Sequence, residues 1–359
     1  IHLSRHNQDV LYFGANRLYR SFNQGDKWEA ISGDLTQGGK KGNVPYGTLT
    51  SVHESPLKFG LLYTGSDDGL VHITRDGGDT WTRITTGLPA NLWVSRVQAS
   101  SHEKARVYLA LNGYRFDDFN AYLYVSEDFG KNWKKIGLDL PAEPVNVVKE
   151  DPANPDILYV GTDHGVYISL DRGATFHNLS AEFPAVPVHD IVVQERDKDL
   201  LIGTHGRSMY KLPVRNLQAM NKDVLAAQLH LFDLSKKRYN RNWGKKSPWE
   251  VTKDPELPVS FYAAGTGTAR FTVKTKSGLE LQSGILPYKN GLNTWTYTLD
   301  VREDAVKNYV KKLNEDVKNP KKAVELKPAD TGKTYLYKGT YSITLEKDGT
   351  SVTKEFVIE

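Results

Sequence analysis

The sequence predicts an all-β protein: a run of antiparallel sheets of propeller-blade size followed by a smaller β-sandwich. Three observations predict it. A short turn pattern recurs four times, each copy follows the same pair of short strands, and residues 257–359 alternate apolar and polar side chains with a period of two.

The turn has the form S/T-x-D-x-G-x-x-W. It reads SFNQGDKW (Ser21–Trp28), TRDGGDTW (Thr74–Trp81), SEDFGKNW (Ser126–Trp133) and SLDRGATF (Ser169–Phe176), with Asn23 in place of Asp in the first copy and Phe176 in place of Trp in the last. The strand pairs open with VLYFG, LLYTG, RVYLA, ILYVG and, in a fifth group, LLIGT; their second members are RLYRS, LVHIT, YLYVS, GVYIS and SMYKL. Another strand and turn precede each pair, as in VHESPLKFG and VKEDPANPD. Three strands, the turn and a fourth strand make a meander of about 45 to 50 residues, the size of one blade. In the turn, Asp76, Asp128 and Asp171 are placed to accept backbone N–H bonds, and the glycine takes a positive φ. Trp28, Trp81, Trp133 and Phe176 are placed to pack back between neighbouring blades. The motif therefore reads as structural punctuation and not as a ligand site.

This pattern resembles the Asp-box, or BNR, repeat of sialidases, sortilin-like ectodomains and Asp-box xyloglucanases. The longer run from GSDDGLVHITRDGGDTW through WVSRV, YRFDDFNAYLYVSEDFGKNW, EDPANPDILYVGTDHGVYIS and IGTHGRSMYKL is similar to the C-terminal half of large bacterial exported proteins of sortilin-like or glycosyl-hydrolase-like type. The resemblance covers most of residues 1–214. It implies a β-propeller and an exported location, whether periplasmic, outer-membrane-associated or extracellular. It does not imply one activity, because such repeats sit on enzymes and on receptors alike.

Strand counting over residues 1–214 gives four groups that are complete or nearly so, then a fifth at His189–Leu212 with three strands and no turn or fourth strand. Such a ring is incomplete, and its flanks would expose unpaired backbone and apolar faces. The expectation is that an upstream propeller portion of the same protein, or a nicked companion chain, covers them. Residues 215–256 read as a connector holding a short helix and the basic, aromatic KKRYNRNWGKKSPWE. Residues 257–359 read as an Ig-like β-sandwich: PVSFYAA, ARFTVKT, GLNTWTYTLD and GTYSITLEKDGTSVTKEFVIE alternate, with KDGT as a hairpin turn. GLNTW and GTYSITL resemble the Ig-like domain that ends such exported proteins. A helical insertion at 302–320 sets Val306, Tyr309, Val310, Leu313 and Val317 on one face.

Composition narrows the chemistry. The 359 residues include no cysteine, which excludes disulfides, thiolate catalysis and cysteine zinc sites. A formal net charge of +4 with acids and bases interspersed does not point to nucleic acid. No run approaches the roughly 18 apolar residues of a membrane span. His164, His189 and His205 are dispersed, without H-E-x-x-H or EF-hand spacing, so no metal is expected. With no phosphate-cradling glycine loop and no G-x-S-x-G elbow, no cofactor is expected either.

In a propeller, the loops joining second to third strands share a face with the loops joining one blade to the next. That face collects Asp67 and Asp68 in GSDDG, then Tyr114, Arg115, Asp117 and Asp118 in NGYRFDDFNAY. It also collects Asp163 and His164 in GTDHG, and His205 and Arg207 in GTHGRS. The blade entries add Trp93, Ser95 and Arg96 in LWVSRV, and His189 and Asp190 in PVHDI. Arginine forks hold carboxylates or sulfates, aromatics stack on sugar rings or side chains, and carboxylates do acid/base work. The expected ligand-binding set is Trp93, Arg96, Tyr114, Arg115, Asp67, Asp68, His164, His205 and Arg207, with Asp117, Asp118 and Asp163 as catalytic candidates. Each also has a structural alternative, in which Asp and His cap turns and Arg207 pairs with a neighbouring carboxylate. Glycoside hydrolysis needs two carboxylates about 5 to 9.5 Å apart, and the adjacent Asp117 and Asp118 suit that poorly. Arg96, Arg115 and Arg207 are present, but the set of motifs that goes with the arginine triad and Tyr/Glu pair of sialidases is not. The reading is a propeller that binds a protein, peptide or glycan on its loop face, within an outer-membrane or secretion assembly in one version. The alternative is a glycoside hydrolase acting on a polysaccharide.

Overall fold

The computed structural model describes residues 1–38, 47–179, 184–246, 252 and 254–359. The last four residues of the basic, aromatic segment, 247–250, lie outside this set. The chain divides into two compact units, Ile1–Gln218 and Ala219–Glu359.

The first unit is a β-propeller array in which every sheet is antiparallel and ordered as the chain runs. The first sheet holds β1 (His2–Leu3), β2 (Leu11–Gly14), β3 (Leu18–Ser21) and β4 (Glu29–Ala30). The second holds β5 (Leu49–Glu54), β6 (Leu62–Ser66), β7 (Val71–Thr74) and β8 (Thr82–Arg83). The third holds β9 (Trp93–Ala99), β10 (Val107–Gly113), β11 (Asp118–Ser126) and β12 (Lys134–Ile136). The fourth holds β13 (Val145–Glu150), β14 (Leu158–Thr162), β15 (Val166–Ser169) and β16 (His177–Asn178). The fifth has β17 (Val188–Gln194), β18 (Asp199–Thr204) and β19 (Met209–Pro213), and no fourth strand joins it among the described residues. The first strands β5, β9, β13 and β17 pack against one another in succession, so each sheet lays a face on the next. A short helix, α1 (Arg215–Gln218), ends the unit.

The second unit opens with α2 (Lys222–Ala226) and is a two-sheet sandwich. One sheet joins β20 (Leu229–Leu231), β21 (Leu257–Ala263) and β24 (Gly291–Tyr297); the other joins β22 (Gly267–Thr275), β23 (Glu280–Tyr288), β27 (Gly339–Lys347) and β28 (Thr350–Ile358) in the order β23-β22-β27-β28. Val259, Phe261, Phe271, Val273, Ile343 and Phe356 form the core between them. A separate pair, β25 (Asp300–Val301) with β26 (Thr334–Tyr335), leads into and out of the segment bearing α3 (Glu303–Leu313). Tyr309 is buried in the core and Val306 and Leu313 pack against it, whereas Val317 lies beyond the helix. Asn314 stops the helix there: its side chain donates to the carbonyls of Val310 and Val324, both at 2.9 Å, and accepts the Val324 N–H at 2.7 Å.

The recurring turn clasps one sheet to the one before. In the second copy the Thr74 hydroxyl donates to Asp76 Oδ1 at 2.6 Å, that oxygen accepts the Thr80 N–H at 3.0 Å, and Gly78 N–H donates to Thr74 Oγ1 at 3.0 Å. Ser126, Asp128, Gly130 and Asn132 repeat the arrangement, as do Ser169, Asp171, Gly173 and Thr175. Asn23 makes the equivalent bond to Lys27 N–H at 2.9 Å, which is why the amide substitutes for Asp. The bonds from Thr74 and Thr80 hold the Asp76 carboxyl well below the usual carboxylate range, and those from Asn132 hold Asp128 at about 2. The glycine cannot be replaced without a clash: a Cβ would lie 2.8 Å from Ile31 at Gly78, 2.4 Å from Ile84 at Gly130 and 2.7 Å from Ile136 at Gly173. Beside it, Trp81 Nε1 donates to the Ile31 carbonyl at 2.8 Å and Trp133 Nε1 to the Ile84 carbonyl at 2.7 Å.

A second clasp runs through the sheet interior. Tyr12, Tyr63, Tyr108 and Tyr159 hold equivalent, buried positions on the second strands. Tyr12 donates to Glu54 Oε1 on the next sheet at 2.8 Å, and Tyr108 to Glu150 Oε1 at 3.1 Å. Register places Ala99 in the third sheet where Glu54 and Glu150 stand in theirs, each facing the start of its second strand. Tyr63 Oη consequently has no hydrogen-bond partner among the described residues. Val193 holds that place in the fifth sheet, and Tyr159 turns to Asp151 Oδ2 of its own sheet at 3.0 Å. Tyr108→Phe should therefore cost about 1.5–3 kcal/mol, the range for a hydrogen bond to a charged group, while Tyr63→Phe should be neutral or mildly stabilising. Urea midpoints at unchanged m-value check both; an equal loss for the two variants would contradict this assignment.

Candidate functional site

The loop between β10 and β11 carries a 3-10 turn, Tyr114–Phe116, that sits over the start of β9. The Trp93 and Tyr114 rings meet edge to face at 6.2 Å. The Arg115 guanidinium lies 5.0 Å from the Trp93 ring centre and 6.0 Å from that of Tyr114, within cation–π range. The indole N–H of Trp93 is buried and has no hydrogen-bond partner among the described residues. Tyr114, Phe116 and Phe119 of this loop and the strand after it are exposed. A chain of amides fixes this loop to the fourth sheet. Tyr114 N–H donates to Asn112 Oδ1 at 3.0 Å, Asn112 Nδ2 to Asn146 Oδ1 at 2.8 Å, and Asn146 Nδ2 to Asp163 Oδ1 at 2.8 Å.

Two buried aspartates flank the cluster from the second sheet. Asp67 accepts the Thr48 N–H at 2.8 Å; burial pushes its carboxyl above the usual range, against the pull of that bond and of Arg115. Asp68 instead accepts the Ser66 hydroxyl at 2.5 Å and the Gln37 N–H at 2.8 Å, and its backbone carbonyl accepts the Gln37 amide at 2.6 Å. Such a carboxylate ties loops together.

The three residues expected to be catalytic occupy different settings. Burial alone would raise Asp118, but bonds from Tyr122 Oη at 2.7 Å and from the N–H and amide of Asn120 outweigh it and hold the carboxyl low. Asp117 is exposed, in the left-handed position that closes the turn, φ 56°. Asp163 ends the amide chain already described. Elsewhere on the face, His164 Nδ1 lies 3.3 Å from Glu143 Oε1, and the His189 and His205 rings meet at 5.6 Å. Arg207 is exposed on the turn between β18 and β19. Ser95 donates to the Val145 carbonyl at 2.7 Å and is a link between sheets.

Deeper in, four of the five first strands present a polar side chain at one level, and the fifth presents Val192. His2, His53, Gln98, Lys149 and Val192 are register partners of Tyr12, Tyr63, Tyr108, Tyr159 and Leu201 and so stand at one height on five strands. The His2 and His53 rings are 5.1 Å apart. His2 Nε2 accepts the Glu54 N–H and His53 Nδ1 the Ala99 N–H, both at 3.2 Å, so both rings are neutral at those atoms. Burial pushes His2 down to about 4 and His53 well below its usual value. Lys149 is pushed down to about 8 by burial and by the charges of Arg5 and Arg96. Those arginines are themselves paired, Arg5 with Glu195 and Arg96 with Asp190, each at 2.8 Å.

A family profile described as Sortilin-Vps10 (sortilin, neurotensin receptor 3) matches residues 16–140 and 121–223, together more than half of the 359-residue chain. The chain belongs to the Sortilin-Vps10 family. It is also 29% identical over 161 residues to a xyloglucanase of Hypocrea jecorina (strain QM6a), a match spanning 40% of this chain and 18% of that enzyme. The chain thus spans less than a fifth of that curated relative. Among solved structures it is similar to an ancestral GH74 enzyme (14% identity, 99% of this chain, 45% of that one, TM-score 0.47). Two others are a Niastella koreensis GH74 enzyme (14%, 98% and 55%, TM-score 0.47) and YCF48 bound to D1 peptide (15%, 72% and 74%, TM-score 0.40).

In this Sortilin-Vps10 chain the fold brings Trp93, Tyr114, Arg115 and Asp67 together, and separately Arg96 with Asp190. His164 instead meets Glu143, and His205 meets His189. Among the described residues no group of three metal-ligating side chains converges, and no helix is long and apolar enough to cross a membrane. Sequence reasoning missed His2, His53, Lys149 and Arg5. The signal was present, because a residue of this level stands ten places ahead of each of Tyr12, Tyr63, Tyr108 and Tyr159. Because folded His2 is pushed down to about 4 and His53 well below its usual value, the unfolded chain binds more protons once pH falls below about 6.5. Their stabilisation is complete above about pH 6.5 and is lost as pH falls below it, by at most about 1.4 kcal/mol per pH unit for each ring. Urea midpoints from pH 7 to 4.5 should show it, and the pair His2→Gln and His53→Asn, which keeps both acceptors, should flatten the slope.

Proposed function

We propose that the Trp93–Tyr114–Arg115 cluster is the anchor of a ligand-binding face that takes an extended peptide segment. The observation that carries this is the buried indole N–H of Trp93, unpartnered among the described residues, with the Arg115 guanidinium 5.0 Å from its ring centre. A buried donor without an acceptor costs about 1–3 kcal/mol, and a ligand carbonyl arriving there recovers it. Arg115 adds a charged donor group, while exposed Tyr114, Phe116 and Phe119 supply apolar area for side chains. Membership of a family whose description names a receptor supports binding as the primary role. The exported, cell-envelope setting implied by the sequence resemblance is part of this reading.

A second reading is hydrolysis of a polysaccharide. The partial identity to a xyloglucanase favours it, and so does Asp67, whose raised carboxyl has the property a general acid needs. Asp118, held low and ionised, suits a base or nucleophile and not an acid.

Peptide and glycan arrays probed with the intact protein, followed by titration of the best probe, separate the two. Under the peptide reading, Trp93→Phe weakens the best peptide about tenfold, the worth of one hydrogen bond, and Arg115→Ala weakens it further. Unchanged affinity in both variants removes the cluster from the proposal. Binding confined to glycans, with reducing ends released by the wild type and not by Asp67→Asn, establishes the hydrolase instead.

A further inference from the structure

The second unit holds a charged surface of its own. Between Lys236 and Lys246 the chain places six cations and no carboxylate, in a protein whose formal net charge is only +4. This strap is firmly held. Lys237 N–H donates to the Val357 carbonyl at 2.9 Å and Tyr239 N–H to the Glu359 carbonyl at 2.7 Å, which ties it to the end of β28. Thr331 N–H donates to the Gly244 carbonyl at 3.2 Å and Lys246 N–H to Asp330 Oδ2 at 2.6 Å, which ties its other end to the turn before β26. Between these ties the Tyr239 and Trp243 rings meet edge to face at 5.4 Å, Tyr239 rests on Tyr337 at 4.9 Å, and Trp243 on Tyr335 at 6.3 Å.

Two hollows of about 550 and 370 Å³ flank the strap, within the size range of small-ligand clefts, and they share Tyr239, Asn240 and Arg241. In the larger one Arg238 and Lys338 join Arg241 against a single acid, Glu359. In the smaller one Lys245 and Lys327 join it, and the acid there, Glu325, is already paired with Lys327 at 3.3 Å. Arg238, Arg241 and Lys338 are exposed, and their side chains make no ion pair among the described residues. Like charges gathered in one hollow repel one another until an anion arrives.

We infer that this strap binds an acidic polysaccharide, a chain of sugar carboxylates laid across both hollows with Arg241 between them. The chemistry selects that occupant. Arg238 and Arg241 offer planar forks that take a carboxylate in two parallel hydrogen bonds. Tyr239 and Trp243, half-buried in the hollows, offer ring area for a sugar to lie against. Asn240 accepts the Asn242 N–H at 2.9 Å through its side-chain oxygen, which leaves its amide N–H group for a sugar hydroxyl. A lipid surface needs apolar side chains that project into it, and among the described residues of 236–246 and 325–338 no large apolar side chain is exposed.

Calorimetric titration of the intact 359-residue chain with polygalacturonate tests this, beside poly-glutamate of equal charge and vesicles of anionic phosphatidylglycerol. Polygalacturonate should bind about tenfold tighter than either control. Replacing the two exposed arginines together, Arg238→Ala with Arg241→Ala, should weaken it about tenfold or more, whereas Trp93→Phe, which probes the peptide site, should leave it unchanged. Comparable affinity for poly-glutamate or for the vesicles overturns the inference, because the strap then answers to charge alone. So does polygalacturonate binding that is absent, or that survives the double substitution.

Discussion

Everything in the first unit depends on seating one sheet's turn against the exit of the sheet before it. The two faces of a blade are apolar, and neither is buried until a neighbour arrives. The Gly–Ile contact sets how closely that neighbour approaches, since a Cβ would come within 2.8 Å of the isoleucine at each of three seats. The tryptophan N–H then fixes the angle by reaching back to a specific carbonyl. Asp76, Asp128 and Asp171 take no part in that contact themselves. They hold their turns rigid, so that glycine and aromatic arrive together.

This division of labour leaves the opposite face available for binding. The glycine–isoleucine clasps lie at the turns between third and fourth strands, and the loops between second and third strands are tied only by polar contacts such as those of Asp68 and Asn112. The β10–β11 loop is free to extend, and the amide chain through Asn112, Asn146 and Asp163 gives it order without using its aromatics or Arg115. A site built this way is held by the frame and not by the residues that meet the ligand.

Legibility in the sequence followed distance along the chain. The turn was readable because its hydrogen bonds span two and four residues, so its pattern survives in eight letters. The strand triplets were readable from alternation and from LYVG-like repeats. The Tyr–Glu clasp spans 42 residues in both of its occurrences and appears only when repeats are laid in register. The same holds for His2, His53 and Lys149, which look unrelated until aligned on the tyrosines. Trp93, Tyr114 and Arg115 could be assigned to one face from strand order, but nothing local showed that Trp93 would keep its N–H unpartnered. Likewise, neighbouring residue types did not reveal that Asp68 would be consumed by Gln37 and Ser66.

Asp67 and Asp118 show why residue type alone could not assign chemistry here. Both are aspartates beside the same loop, and burial pushes both carboxyls upward. They end on opposite sides of the usual value because of what else reaches them. Asp118 receives three hydrogen bonds from Tyr122 and Asn120, all favouring the ionised form. Asp67 receives a backbone N–H from Thr48 and stands next to Asp68, whose like charge opposes ionisation. A face on which one carboxyl is pushed up and another held down presents a polarity that a bound ligand must match. Arg115, drawn toward Asp67 yet stacked on Trp93, is the group through which that polarity meets the aromatic anchor.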